Sequence, residues 1–495
     1  MEIFIYLALA TFPAMVAIGV SLLKRESLAR MATRGIWLVM VGLVLVGWRA
    51  STAGSFPWNG WGFRILPLGL VLSLFILFIS GIVHLFSIRY MSGDRLTNPF
   101  FIKLGFLTSS LLLMIGTDHL LLMLVFWISS NLLLANLMIH KNDWPAARNG
   151  GILMIKISFL GSGFLALAIS ILALSFNSFS LHEILENPNL ITYPVKLTVL
   201  LFLIIAALVQ SGAWPFHKWL ISSLNSPTPV SGLMHAGLVN GGGFLLIRFA
   251  PLFADISLSL HIVFILGLIS VILGTAWKLM QNNIKAMLAC STMAQMGFML
   301  MQCGLGLFSA AIAHLFWHGL FKCYLFLNSG SAIQERKEPD IEKNLLKYLS
   351  ALAVGFVGAY GFGLMIGFSF EHWSTKIVLI GFSWLASAQI AYSFLNKGLF
   401  WVRIAFACVG SLMFGMIYGA TIYLVESFVS TMRMDANLPI HPIHIVGMGI
   451  VMLISIGIHT KMFSPFSSRR LYMEMLNLSQ SHSKTKTLIR NEYKY

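Results

Sequence analysis

The chain has 495 residues, of which 58% are hydrophobic and only 10% are charged. Soluble domains carry about 25% charged residues, so this composition excludes a single water-soluble globule and predicts that lipid covers most of the surface. The formal net charge of +16 is compatible with a nucleic-acid partner only if the basic residues cluster, and they do not.

Apolar segments follow one another along nearly the whole chain. Their lengths predict an all-α polytopic membrane protein with about 13–15 transmembrane helices. The first segment is followed rather than preceded by basic residues, so we expect a retained span and not a secretory signal. The predicted spans are 3–22, 35–49, 65–88, 101–116, 119–139, 150–175, 196–212, 229–250, 258–280, 285–303, 307–331, 347–369, 376–395, 400–425 and 442–463.

The loops between these spans divide the basic residues unequally. With the N-terminus outside, about 25 Lys and Arg fall in inner loops and about 5 in outer loops, which is the bias of cytoplasmic loops. We therefore expect a multi-pass protein of the bacterial inner membrane with a cytoplasmic C-terminus. The basic residues would contact anionic lipid headgroups, and no nucleic acid is expected. Residues 1–464 would form the transmembrane domain and 465–495 a basic cytoplasmic tail, either solvated or docked on a soluble partner.

Residues 211–251 contain prolines that predict at least one broken helix. Pro215, Pro227 and Pro229 each remove a backbone donor and can interrupt a helix. Non-helical backbone at membrane depth is tolerated where it lines a polar cavity or is buried in protein. His217 and His235 flank the expected break, and both are candidate groups of an ion pathway.

The densest ionisable set is His314, His318 and Lys322, spaced i, i+4, i+8. Successive members lie about 6 Å apart on one helix face. Imidazole exchanges protons near neutral pH and a desolvated lysine can also release one, so the set predicts a proton relay. Structural hydrogen bonding is an alternative, and so is metal binding, which a nearby lysine and the missing Glu of HExxH disfavour. Lys156, in the sixth span, either joins the pathway or snorkels to the headgroups.

The sequence contains no motif of an enzyme acting by itself. It has no Gly-rich nucleotide loop, no G-x-S-x-G elbow and no haem or iron–sulfur ligand set. The four cysteines lie in apolar stretches without a CxxC pair. We therefore predict no catalytic residue, no cofactor and no bound metal.

Three phrases resemble the proton-conducting transporter family: PTPVSGLMHAG at 227–237, STMAQMGFM at 291–299, and His314…His318…Lys322. That family includes the antiporter-like subunits of respiratory complex I and of Mrp-type sodium/proton antiporters. The resemblance covers roughly residues 60–335 and implies an antiporter-like fold there.

Further phrases are similar to the DabB family, the membrane subunits of DabA–DabB inorganic carbon pumps. They are RYMSGD at 89–94, HAGLVNGGGFLLIRFAPL at 235–252 and AQMGFMLMQCGLG at 294–306. The resemblance implies a subunit that conducts H⁺ or Na⁺ and a DabA-like zinc-binding cytoplasmic partner that hydrates CO₂. Alternatives are an antiporter-like subunit of NADH-quinone oxidoreductase or of a multi-subunit cation/proton antiporter, and a non-conducting membrane anchor.

The sequence departs from its family at a charged pair. Gln210 stands where the family commonly has Lys, and Ile128 follows Trp127 where complex I relatives have Glu. Loss of both charges is electrostatically consistent, because either one by itself would be stranded. No match to a later complex I lysine is found around 355–372, so an unmodified complex I mechanism is not expected.

Overall fold

The computed structural model describes residues 2–19, 25–54, 56–330, 345–368, 373–395, 400–429, 438–459 and 469–480. Of the tail predicted over 465–495, only 469–480 belongs to these residues, and the rest of that prediction lies outside them.

The described chain is helical almost throughout. Fourteen helical spans in it are long and apolar enough to cross a membrane, which confirms the predicted polytopic fold. α19 is apolar as well, but its apolar part, Pro442–Ile458, is shorter. The helices are α1 Glu2–Gly19, α2 Arg25–Ala53, α3 Pro67–Tyr90, α4 Thr97–Gly116, α5 Leu120–Ile139, α6 Pro145–Phe176, α7 Leu181–Glu186, α8 Tyr193–Gln210, α9 Lys218–Ile221, α10 Thr228–Ala236, α11 Gly241–Arg248, α12 Ala250–Phe253, α13 Ser257–Met280, α14 Ile284–Gly304, α15 Phe308–Leu327, α16 Leu345–Met365, α17 Lys376–Leu395, α18 Phe400–Val429, α19 Pro442–His459 and α20 Arg469–Leu478.

One small hairpin departs from the all-α prediction. β1 (Trp58–Gly60) pairs antiparallel with β2 (Phe63–Ile65) in the connection between α2 and α3. The carbonyl of Gly62 accepts the N–H groups of Asp118 and His119, at 2.8 and 3.0 Å. The hairpin thus satisfies backbone donors at the α4–α5 turn.

Small residues bring neighbouring helices close together. On α13 and α14, a Cβ added at Gly267 would lie 2.6 Å from the carbonyl oxygen of Gly297, and one at Gly274 would lie 2.6 Å from the nitrogen of Ala294. Lipid supplies no hydrophobic drive between helices, so this close backbone approach provides much of the packing attraction.

Two interruptions break the spans in the 211–251 region, which agrees with the prediction of at least one broken helix. α8 ends at Gln210 and helix resumes only at α9, with Pro215 between them as predicted. Pro227 precedes α10 and Pro229 lies in its first turn, where a missing backbone donor costs nothing. These two prolines therefore begin a helix instead of breaking one. The second interruption separates α10 from α11 at residues 237–240 and contains no proline.

The two ends of the bundle carry different cavities. At one end, called here the basic end, a cavity of about 370 Å³ lies among the loops at 91–94, 140–144 and 224–227. At the opposite end, a cavity of about 690 Å³ lies between the hairpin region and residues 181–189 and 248–255.

Candidate ion pathway

His314, His318 and Lys322 lie on one face of α15, as their spacing predicts, and this face is turned towards the protein. Their exposed fractions are only 8%, 5% and 0%, whereas Trp317 and Phe321 on the same helix are 45% and 59% exposed. The His314 and His318 rings stack, with centroids 5.7 Å apart and planes inclined by 19°. The helix therefore turns its ionisable groups inward, and the condition for a relay, that they do not face lipid, is met.

α10 and α14 supply the other wall around these groups. Lys322 donates from Nζ to the Leu288 carbonyl on α14, over 3.1 Å. His235, at the end of α10, is fully buried and stacks on Phe326 with ring centroids 4.1 Å apart. α10 packs directly against α15, the helix that carries the other three groups. We call His235, His314, His318 and Lys322 the basic seam.

The basic seam leaves imidazole nitrogens without protein partners. Within the described residues, both ring nitrogens of His235 and the Nε2 atoms of His314 and His318 are buried and accept or donate no hydrogen bond to protein. Buried polar atoms are normally hydrogen-bonded, and each exception in a native fold calls for an explanation. Such nitrogens can take a proton from a neighbouring donor or from water and pass it on.

Lys285 continues the seam towards the basic end. It lies in the first turn of α14, and its Nζ donates to the Ser226 carbonyl at 3.0 Å. Ser226 lies two residues before the start of α10, the helix that carries His235. A lysine at a helix end usually reaches the lipid headgroups, so the position of Lys285 beside α10 was not predictable from sequence.

Gln210 belongs to a second buried polar site, which carries no charge. Its amide and that of Asn131 on α5 exchange two hydrogen bonds of 3.1 Å each. The Gln210 amide nitrogen also donates to the Leu238 carbonyl, at the break between α10 and α11. We call Asn131 and Gln210 the amide clamp. A cavity of about 50 Å³ adjoins it, lined partly by Trp127 and Asn240.

Asn131 was missed by sequence reasoning. It lies four residues after Trp127, one helical turn beyond the position where complex I relatives carry Glu. An amide side chain within a membrane span, one helical turn after Trp127, is the signal that could have identified it. The departure at Gln210 is thus matched by a residue on α5, and no charge is buried at this pair.

His217 and Lys156 lie apart from the basic seam. The His217 Nε2 lies 3.1 Å from the Leu478 carbonyl of α20, and its ring is 4.5 Å from that of Trp277. Lys156 is exposed on the surface of α6, which favours snorkelling. A pathway role for these two residues stays a prediction, whereas the other four predicted groups come together.

Metal ligands do not converge in the part of the chain that the structure describes. No three His, Cys, Asp or Glu side chains there are arranged to hold a metal ion. That the protein binds no metal stays a prediction, since neighbouring residues outside that part could contribute.

Comparison with known proteins places this arrangement in a family. The protein-family model described as "NADH:quinone oxidoreductase/Mrp antiporter, TM" matches residues 117–357. The family model of the complex I chain 5 N-terminus matches residues 52–101. The chain is 33% identical over 444 residues to the probable inorganic carbon transporter subunit DabB1 of Halothiobacillus neapolitanus, covering 87% of this chain and 76% of that one. The chain belongs to the proton-conducting antiporter family. Within that family it is DabB-like.

Other members of the family are matched over smaller shares of their length. The probable inorganic carbon transporter subunit DabB of Bacillus subtilis is 34% identical over 64% of this chain and 62% of its own. NADH-ubiquinone oxidoreductase chain 5 of Chondrus crispus is 31% identical over 74% of this chain and 55% of its own. A solved structure of the Mrp complex from Dietzia sp. DQ12-45-1b superposes with a TM-score of 0.60 at 18% identity, over 96% of this chain and 59% of that chain. This likeness concerns the fold alone, and it agrees with the antiporter-like fold.

Proposed function

We propose that this chain is the ion-conducting membrane subunit of an inorganic carbon pump. Ions moving down their gradient through the basic seam would drive CO₂ hydration by a DabA-like zinc-binding cytoplasmic partner. The observation that carries the proposal is the seam itself, with buried imidazoles whose nitrogens lack protein partners. An ionisable side chain at membrane depth costs about 2.5–3.5 kcal/mol, so a row of them is retained for a function.

The chemistry of the seam favours H⁺ over Na⁺ as the coupling ion. The seam presents imidazole nitrogens and an ammonium group, and Lys322 would repel a metal cation. Hard cations prefer oxygen ligands such as carboxylates and carbonyls. Imidazole nitrogens one helical turn apart are instead suited to passing protons from one to the next.

The distribution of basic residues supports a bacterial inner-membrane orientation with the N-terminus outside and the C-terminus in the cytoplasm. Arg89, Arg95, Lys141 and Lys285 all lie at or next to the basic end. Cytoplasmic loops are enriched in Lys and Arg, so the basic end would face the cytoplasm. The zinc-binding partner would then meet the protein on that side.

Growth of a carbonic-anhydrase-deficient bacterial host in air tests this function. The full chain and its DabA-like partner should restore growth, and the double variant His318→Ala, Lys322→Ala should abolish it while the complex still assembles. Lys103→Ala, which removes a half-buried lysine from α4, is the matched control and should keep growth. Assembled wild-type complex that gives no growth would contradict the carbon-pump proposal.

Two alternative functions predict different experimental outcomes. Similarity to NADH-ubiquinone oxidoreductase chain 5 and the fold of the Mrp complex support a second candidate, a subunit of a quinone reductase or of a cation/proton antiporter. Co-purification with flavin or iron–sulfur subunits would favour the reductase, and salt-sensitive growth on deletion would favour the antiporter. Full growth of the His318→Ala, Lys322→Ala variant would instead identify a non-conducting anchor.

A further inference from the structure

The RYMSGD phrase at 89–94 forms a turn that fixes one carboxylate. Asp94 follows the end of α3, and its backbone N–H donates to the Met91 carbonyl over 3.0 Å. Its Oδ1 accepts the N–H of Leu96 at 2.7 Å. Thr97 donates from its hydroxyl to the carbonyls of Met91 and Asp94, at 2.9 and 2.7 Å. A loop with this many internal bonds holds the Asp94 side chain in one place.

The second carboxylate oxygen of Asp94 faces a histidine. His140 follows the last residue of α5, and its Nε2 lies 3.2 Å from Asp94 Oδ2. The two side chains are 9% and 20% exposed, histidine first. The His140 ring is also set edge-on against Phe100, with centroids 5.7 Å apart. The pair is therefore positioned from α3, α4 and α5 together, with one side open to solvent.

The hydrogen bonds of Asp94 keep its carboxylate ionised. Partial burial raises the pKa of this carboxyl, but the Leu96 N–H and the His140 ring lower it by more, so that the pKa lies below its usual value. The ionised Asp94 carboxylate therefore places a negative charge 3.2 Å from the His140 Nε2 atom. Imidazole is a side chain that can take up a proton and pass it on.

Asp94 and His140 line the same cavity as Lys285, the lysine that continues the basic seam towards the basic end. This cavity of about 370 Å³ has room for roughly ten water molecules, at about 30 Å³ for each. Ser226, whose carbonyl binds Lys285, also lines it. The other titratable groups facing the cavity are Tyr90 and Lys141. Water in it would join the pair to Lys285 without a protein group between them.

We propose that Asp94 and His140 are the proton-exchange pair of the basic end. A proton that leaves the Lys285 ammonium crosses the cavity water to His140, and the imidazolium stays beside the Asp94 carboxylate until it gives that proton to bulk water. Uptake follows the same steps in reverse. This inference rests on the proposed proton conduction through the basic seam. It assigns to the RYMSGD segment the exchange of protons with bulk water, a role that the buried residues of the seam do not fill.

Chemical rescue tests the pair directly. In proteoliposomes holding the purified complex, His140→Ala should lower the potential-driven proton current about tenfold, because a positioned proton acceptor is removed. Imidazole, present at equal concentration on both sides so that it carries no gradient, should restore most of this current by entering the space left in the cavity. It should leave the wild-type current unchanged. A merely structural defect would not respond to imidazole.

Two matched variants separate the pair from general effects of charge. His182→Ala removes the histidine of a similar pair, His182–Glu186 at 3.1 Å, at the opposite end of the bundle, and should neither lower the current nor respond to imidazole. Asp94→Asn should lower the current, whereas Asp143→Asn, an exposed residue of the neighbouring loop, should not. If His140→Ala impairs assembly, the test depends on Asp94→Asn, whose proton current is measured per assembled complex.

The possible failures are distinguishable from one another. Wild-type current in both His140→Ala and Asp94→Asn would overturn the exchange pair, and so would a loss in His140→Ala that imidazole does not restore. If the double variant His318→Ala, Lys322→Ala instead carried the same proton current as the wild-type complex, the proposed conduction through the seam would be overturned.

Discussion

The basic seam and the amide clamp are two buried polar sites in one bundle, and they differ in how the protein treats their polar atoms. Gln210 and Asn131 exchange paired hydrogen bonds, and Gln210 makes a third to Leu238. In the seam, ring nitrogens of three histidines have no protein partner within the described residues. Both sites adjoin the break between α10 and α11, so their position does not explain the difference.

This difference fits a structural role for the clamp and the proposed conducting role for the seam. A neutral amide pair with satisfied bonds ties α5, α8 and the α10–α11 break together and has no group that changes charge. Titratable groups with open nitrogens gain nothing structurally from staying unpaired, since an unsatisfied buried polar group costs about 1–3 kcal/mol. We therefore propose that proton transfer uses the seam, whereas the clamp holds α5, α8 and the α10–α11 break together.

The largest effect is expected at Lys322. Lys322→Met removes the proton-carrying ammonium, and the proton current of the complex should fall by about 10²–10⁴-fold, the range of a lost acid–base group. Lys322→Arg keeps the charge but cannot release a proton, so it should fail nearly as badly. A wild-type current in Lys322→Arg would mean that charge by itself suffices, and the distinction between seam and clamp would lose its basis.

A charge introduced into the clamp should destabilise the fold. Gln210→Lys places an unpaired cation beside Asn131, and the expected loss is about 3–5 kcal/mol of unfolding free energy. Ile128→Glu in the same chain should recover most of it by giving the introduced lysine a carboxylate partner. Unfolding in detergent of both single variants and the double variant gives the coupling. Additive losses would show that Ile128 does not face Gln210.

Removing one member of the clamp should cost less. Asn131→Leu leaves the Gln210 oxygen without its donor, and we expect a loss of about 1–3 kcal/mol with little change in proton current. The double variant Asn131→Leu, Gln210→Met replaces both amides by apolar groups and leaves only the Leu238 carbonyl without its donor, so it should lose no more stability than Asn131→Leu. A current lowered as strongly as in Lys322→Met would place the clamp on the conduction route.

The smallest effect is expected at Lys156. Its side chain is exposed on α6, so Lys156→Gln should change the proton current by less than about twofold, as surface substitutions usually do. The measurement is the same potential-driven current in proteoliposomes. A loss comparable to that of a seam variant would return Lys156 to the pathway and extend the conducting region beyond α10, α14 and α15.

The sequence by itself determined the approximate number of spans and the shared face of three ionisable residues on α15. A bilayer fixes the length of an apolar span, and the 3.6-residue helical repeat puts His314, His318 and Lys322 on one side whatever surrounds them. Both features are local, so they were predictable without a fold. The break at Pro215 is local in the same sense, because a proline removes its own backbone donor.

Only the tertiary structure decided which distant residues meet. Asn131 and Gln210 are 79 positions apart, and Asp94 and His140 are 46 apart, so no local pattern relates them. Packing also placed His217 against α20 rather than in the seam, and it put Pro227 and Pro229 at a helix start. These outcomes depend on which helices become neighbours, and that is fixed by close approach of small residues across the whole bundle.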